Sequence, residues 1–101
     1  MVGRGTTAHF KFRFQISTSL FKQLKITIRQ GQTVLYKYIE DVEFLDEYSV
    51  QLRLNQKETF MFEPDSAISI QPRYLTLNGD CPPTPIFRVN ITECLDEEVL
   101  V

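Results

Sequence analysis

The groups in this chain that could drive a reaction near neutral pH are few: one imidazole, His9, two thiols, Cys81 and Cys94, and thirteen carboxylates. Nucleophilic hydrolysis would need His9 beside an activated serine or cysteine and oriented by a third group. No glycine-flanked serine elbow is present, and His9 reads as a solvated residue at a strand end. Cleavage of a glycoside needs two carboxylates facing each other across a cleft, which a chain of 101 residues rarely builds. Asp46-Glu47 and Asp96-Glu97-Glu98 lack the alternating ligands of a calcium loop. Cys81 and Cys94 are too few for a disulfide framework or a thiolate metal site, so both are expected to stay reduced. The residues therefore predict no enzyme, no cofactor and no metal.

One further chemistry is worth testing on the residues. His9-Phe10-Lys11-Phe12-Arg13-Phe14 alternates rings with cations, and single-stranded nucleic acids bind where bases stack on exposed rings over a positive groove. A strand, however, sends successive side chains to opposite faces, so the rings point to a core and the cations to solvent. With a net charge of −2, this reading makes nucleic acid an unlikely partner. 

The elements that would position these groups follow from the same period of two, the mark of a half-buried strand. The alternation predicts a strand over His9–Ile16 and a second over Leu24–Arg29, with Leu24, Ile26 and Ile28 inward. Gln30-Gly31-Gln32 predicts a tight hairpin turn, Gly31 supplying a positive φ. A third strand follows over Thr33–Ile39, with Val34, Tyr36 and Tyr38 on one face and Leu35 and Lys37 on the other. After a short apolar pair, Val42 and Phe44, and a turn near Asp46-Glu47, the residues Tyr48, Val50, Leu52 and Leu54 form an inward stripe. Asn55 to Thr59 breaks the alternation and predicts one helical turn capped by Asn55, bridging two layers. Phe60 and Phe62 resume an apolar stripe, and Pro64-Asp65-Ser66 turns. Ile68, Ile70 and Tyr74 lie on a strand that Pro72 requires to be at an edge or bulged. Leu75 and Leu77, of opposite parity to Ile68 and Ile70, favour the bulge. Asn78-Gly79 is a turn, Cys81 to Pro85 a stiff extended connection, and Ile86–Thr92 the last strand, with Phe87, Val89 and Ile91 inward. About seven short strands in 101 residues predict an all-β antiparallel sandwich of immunoglobulin-like size in a single domain, residues 1–8 flexible, with a barrel as the alternative.

No continuous apolar run resembles a signal peptide or reaches the roughly 20 residues that span a bilayer, so a cytoplasmic product without membrane contact is expected. Charge is split along the chain. Residues 1 to 39 hold seven cations and no acid, whereas all thirteen acids and four cations follow from Glu40 onward. Either the halves pair across strands, or they make a two-poled surface for head-to-tail assembly. In the second case Lys11, Arg13, Lys25 and Arg29 would form one docking face and Asp96, Glu97 and Glu98 the other.

Val50 to Phe62, with Ile70-Gln71-Pro72-Arg73-Tyr74-Leu75-Thr76-Leu77-Asn78-Gly79 and Val89 to Leu95, resembles a family of small, mostly uncharacterised proteins of gut Firmicutes bacteriophages and prophages. That family carries Leu-x-Gln-x-Glu-Thr-x-x-Phe, then Gln-x-Arg, then Thr-x-x-Gly before a final strand. The match covers about residues 24 to 100, and departs where Pro72 replaces an aliphatic residue and at Cys81-Pro82-Pro83. The order of elements is similar to that of small β-sandwich components of phage necks and tails. The resemblance implies structural roles for Leu54, Glu58, Thr59, Phe60, Phe62 and Gly79: Leu54, Phe60 and Phe62 in the core, Glu58 and Thr59 in the helical turn, Gly79 in the hairpin. It further implies a phage structural protein, head-tail, tail or capsid-associated, that oligomerises and meets other phage structural proteins in the host cytoplasm and then in the virion. A different expectation is a non-virion accessory protein that binds a host protein or a small ligand, such as a defence inhibitor.

Overall fold

A computed structural model describes residues 2–94 and residue 100. Among these residues the chain forms eight strands in two sheets packed face to face, an antiparallel β-sandwich apart from one parallel pair. The elements are β1 (Val2–Gly3), β2 (Ala8–Arg13), β3 (Phe21–Gln30), β4 (Thr33–Tyr38), β5 (Val42–Phe44), β6 (Ser49–Leu54), α1 (Gln56–Phe60), β7 (Ala67–Thr76) and β8 (Phe87–Thr92). The larger sheet has the order β1-β8-β7-β3-β4 and the smaller β2-β6-β5. The period of two seals the space between them. Ile26, Ile28, Ile68 and Ile70 from the larger sheet and Val50, Leu52 and Leu54 from the smaller are fully excluded from water. Each buried side chain of this size is worth about 1.5–3 kcal/mol. At one end Phe14 meets Phe21 and Tyr74 edge-on, while Phe21 and Tyr74 stack with centroids 4.6 Å apart.

Local chemistry sets the connections. Gly31, at φ 58°, is the first of two central residues between the paired Gln30 and Thr33, and Gln32 has negative φ. This suits a type II′ turn, whose first central position favours glycine. Asn55 caps α1 through a reciprocal pair: its side-chain oxygen accepts from the Glu58 amide at 2.9 Å, and Glu58 Oε1 accepts from the Asn55 amide at 2.9 Å. The helical turn so made carries the chain from the smaller sheet into the larger. Gly79 turns the chain at φ 87° after β7.

Several local expectations are corrected. β2 stops at Arg13; one more bond in the same register, Phe14 donating to Tyr48 O at 2.8 Å, follows before Ser17 caps a 3-10 turn at Thr18–Leu20. Tyr48 lies in the turn before β6, outside its alternation, and is exposed; Ser49 is buried. Phe60 ends α1, where a helical period replaces the strand period, so it is half-buried while Phe62 alone enters the core. Phe87 faces inward as expected, opposite Ile70 and against the Phe12 ring, but at the open start of β8 it is left 44% exposed. Pro72 is not bulged. It pairs in register with Ile26 of β3 and is buried, and it stands beyond the last β7–β8 pair, Ile70↔Phe87, where its missing N–H interrupts no ladder. The irregularity sits instead on β3, between Phe21 and Gln23, and Leu77 is simply exposed.

The first residues, expected to be flexible, are docked. β1 pairs with β8 in parallel, Val2 is buried, and Arg4 donates from Nε to Phe62 O at 2.9 Å and from Nη2 to Phe60 O at 3.3 Å. Gly5, at φ 77°, lets the backbone pass so close to the Phe60 ring that a Cβ would stand 2.4 Å from it. The buried Thr59 hydroxyl donates to Thr6 O at 2.7 Å. Valine in its place removes the donor both to Thr6 O and to Gln56 O, which lies 3.1 Å away. Thr59→Val should therefore lower unfolding free energy by roughly 0.5–1.5 kcal/mol in urea titrations, with Thr59→Ser retaining most of the wild-type value. Equal stability of Thr59→Val and wild type would contradict this.

Candidate functional site

Strand geometry that hides the isoleucines of β3 and β7 turns their intervening residues outward, and these residues build a cationic surface. On the outer face of the larger sheet, Lys25 and Arg73 stand directly opposite each other across β3 and β7. Four residues further along β3, Arg29 faces Ser69, which in turn faces Arg88 of β8. Between these rows Thr27 pairs with Gln71, whose side chain donates to Thr84 O at 3.2 Å in the proline-rich connection. An open groove of about 350 Å³ runs here, bordered by Arg29, Arg73, Arg88 and Ile86, with Thr27, Ser69 and Gln71 along it and, among the described residues, no carboxylate. A smaller hollow of about 140 Å³ lies between Lys25 and Arg73, again without a carboxylate. Acids enter at the sheet's end, where Glu40 shares a hollow with Lys22, Lys25 and Tyr38 and Asp41 Oδ2 accepts from the Tyr38 amide at 2.9 Å.

The same face carries rings. Tyr36 and Tyr38 of β4 pair with Thr27 and Lys25 and are each 43% exposed. Lys25 Nζ sits 4.3 Å from the Tyr36 ring centroid, a cation–π contact worth about 0.5–1 kcal/mol at an exposed site. It orients the ammonium without neutralising it. 

Lys25 and Arg29, but not Lys11 and Arg13, belong to this face. Lys11 and Arg13 lie on β2, on the outside of the smaller sheet, so the four do not form one docking face. Around Lys11 the charge is balanced: its row continues through Gln51 to Glu43, and its charge, after the 2.8 Å bond from the Tyr48 amide, helps hold the Asp46 carboxyl below the usual aspartate value. Arg13 lies over the Tyr48 ring, and His9 accepts from Gln51 Nε2 at 3.3 Å. Asp96, Glu97 and Glu98 lie outside the described residues. Of the structural residues, Leu54 and Phe62 are core, Glu58 and Thr59 hold α1, and Phe60 lies against Arg4.

The division of charge is by element rather than by half of the chain. Nine of the eleven Lys and Arg residues lie on strands, all but Arg4 and Lys57, while Glu43 is the one acid on a strand among the described residues. Cross-strand charge pairing is accordingly not what the halves do, since Lys25, Arg29, Arg73 and Arg88 have no carboxylate opposite them. Lys37, whose side chain lies on the inner side of β4, pairs with Glu58 of α1.

Among the described residues no three His, Cys, Asp or Glu side chains gather in a way that could hold a metal ion, no disulfide joins Cys81 and Cys94, and no helix is long and apolar enough to cross a membrane. No known protein-family model and no curated protein matches the sequence.

Arg73 Nη2 lies 3.7 Å from Cys81 Sγ, a weak contact, whereas like charges directly opposite on a sheet, as Lys25 and Arg73 are in register, cost stability, about 0.2–1 kcal/mol per pair. Arg73→Gln should therefore raise the unfolding free energy of the free protein by that order at low salt, and the gain should shrink as salt screens the pair. Denaturant titrations at two ionic strengths check this, and a destabilised Arg73→Gln at low salt would contradict it.

Proposed function

We propose that this chain is a non-catalytic binding module that takes an anionic partner on the outer face of its larger sheet. Its setting is the one the resemblance of residues 24 to 100 implies, that of a bacteriophage structural protein working by assembly in the virion. The observation that carries the reading is the opposition of Lys25 and Arg73, continued by Arg29 and Arg88, along a groove with no carboxylate among the described residues of its lining. Such a lattice costs the free fold stability, and an anion laid across it turns that cost into affinity. Nothing on this face offers a general base beside a nucleophile, so the groove supports binding rather than turnover.

Peptide mass spectrometry on purified particles of the parent phage should detect the chain at a fixed copy number, and particles assembled with Arg29→Glu/Arg88→Glu should contain less of it. Absence of the wild-type chain from particles would overturn the virion setting in favour of an accessory protein directed at the host. Unchanged incorporation of the charge-reversed chain would overturn the role of the face.

A further inference from the structure

We infer that the anion recognised by this face is a single-stranded nucleic acid, an inference that rests on the docking reading above and names its partner. On β2 the rings and the cations point to opposite sides of the strand, which argued against nucleic acid; across β4, β3 and β7 they share one side. Tyr36 and Tyr38 project from the same face of one strand, two residues and so about 6.6 Å apart. Tyr38 offers one stacking platform and Tyr36, whose ring carries the Lys25 ammonium on one face, offers its other face as a second. Lys25 and Arg73 stand on the next two strands, each step about 4.8 Å, so a backbone lying over them can turn its bases toward the tyrosines. Arg29 and Arg88 repeat the positive charge about 13 Å further along. Thr27, Ser69 and Gln71, half-buried along the groove, add hydrogen-bonding groups of no fixed base preference.

A folded acidic protein would find the charges equally well, but would have no use for two tyrosines held side by side beside them. A duplex would meet the cations with its phosphates and keep its bases stacked on one another. The combination of exposed rings and cations with no carboxylate opposite them in the strand pairing is the arrangement that suits unpaired bases on a phosphate chain. The net charge of −2 does not oppose this, because none of the described acids lines the groove.

Fluorescence anisotropy with labelled oligo-dT of 20 nucleotides, a duplex of the same length and heparin separates the possibilities, with sedimentation of the protein alone run in parallel. Oligo-dT is expected to bind at least tenfold more tightly than the duplex, with affinity falling steeply as salt rises. Tyr36→Ala/Tyr38→Ala should weaken oligo-dT binding about tenfold or more while leaving heparin binding and the far-ultraviolet circular dichroism unchanged. Arg29→Gln/Arg88→Gln should weaken both ligands and flatten the salt dependence. Equal binding of oligo-dT and heparin, insensitive to the tyrosines, would overturn the nucleic-acid assignment while keeping the anion-docking face. So would salt-sensitive self-association, lost in Arg29→Glu/Arg88→Glu, without oligo-dT binding. Absence of every one of these interactions would overturn both readings.

Discussion

The seal between the two sheets is the constraint on which everything else depends. Ile26, Ile28, Ile68 and Ile70 meet Val50, Leu52 and Leu54 with no exposure to water, so sliding any of these strands by one residue would bury its cations and expose its core. Placing an unpaired lysine or arginine in that interior costs several kcal/mol, more than any surface contact on the molecule returns. The register is thereby locked, and with it the opposition of Lys25 to Arg73. The core dictates where those two side chains stand. It does not dictate that they be charged, since a threonine or glutamine on either strand would fit the outer face without the repulsion. Charge chosen against stability at a fixed position is the pattern expected of a binding surface.

The seal is closed at its corner by a set of small interactions around α1. Five helical residues cannot sustain a helix alone, so the Asn55–Glu58 capping pair, the Thr59 bond to Thr6 and the two Arg4 bonds to the carbonyls of Phe60 and Phe62 supply what length does not. Lys37 reaches Glu58 from the edge strand β4. Both side chains are mostly shielded, so this pair gains more from the lower dielectric than an exposed one, and it ties the edge strand that carries Tyr36 and Tyr38 to the junction of the two sheets. The rings of the candidate site are thus braced from behind.

Much of the fold was legible in the residues because strand alternation is a local property. The inward stripes of β3 and β6, the Gly31 turn and the cap of Asn55 on α1 depend on neighbours within a few positions, and each is found. What failed had two causes: the helical turn reaches one residue further than expected, to Phe60, and Pro72 is accommodated, non-locally, because β8 begins only at Phe87, opposite Ile70. The candidate site was less legible for the second of these reasons. Arg73 and Arg88 carry the outward parity that alternation assigns, and Tyr36 and Tyr38 were placed on one face. Yet nothing local says that β7 pairs with β3 across more than forty residues, or that β2 lies in the other sheet. Lys11 and Arg13 were grouped with Lys25 and Arg29 by sequence position, whereas sheet membership separates them.

Two outer faces, both with cations, therefore compete for the role of binding surface, and the larger sheet's face is the one whose cations have no carboxylate opposite them in the strand pairing. Backbone amide shifts of uniformly labelled protein, followed by nuclear magnetic resonance during titration with oligo-dT, test that choice directly. The account predicts shifts confined to residues 25–29, 36–38, 69–73 and 86–88. Shifts centred on residues 9–13 and 51–53, the outer face of the smaller sheet, or no shifts at saturating oligonucleotide, would contradict it.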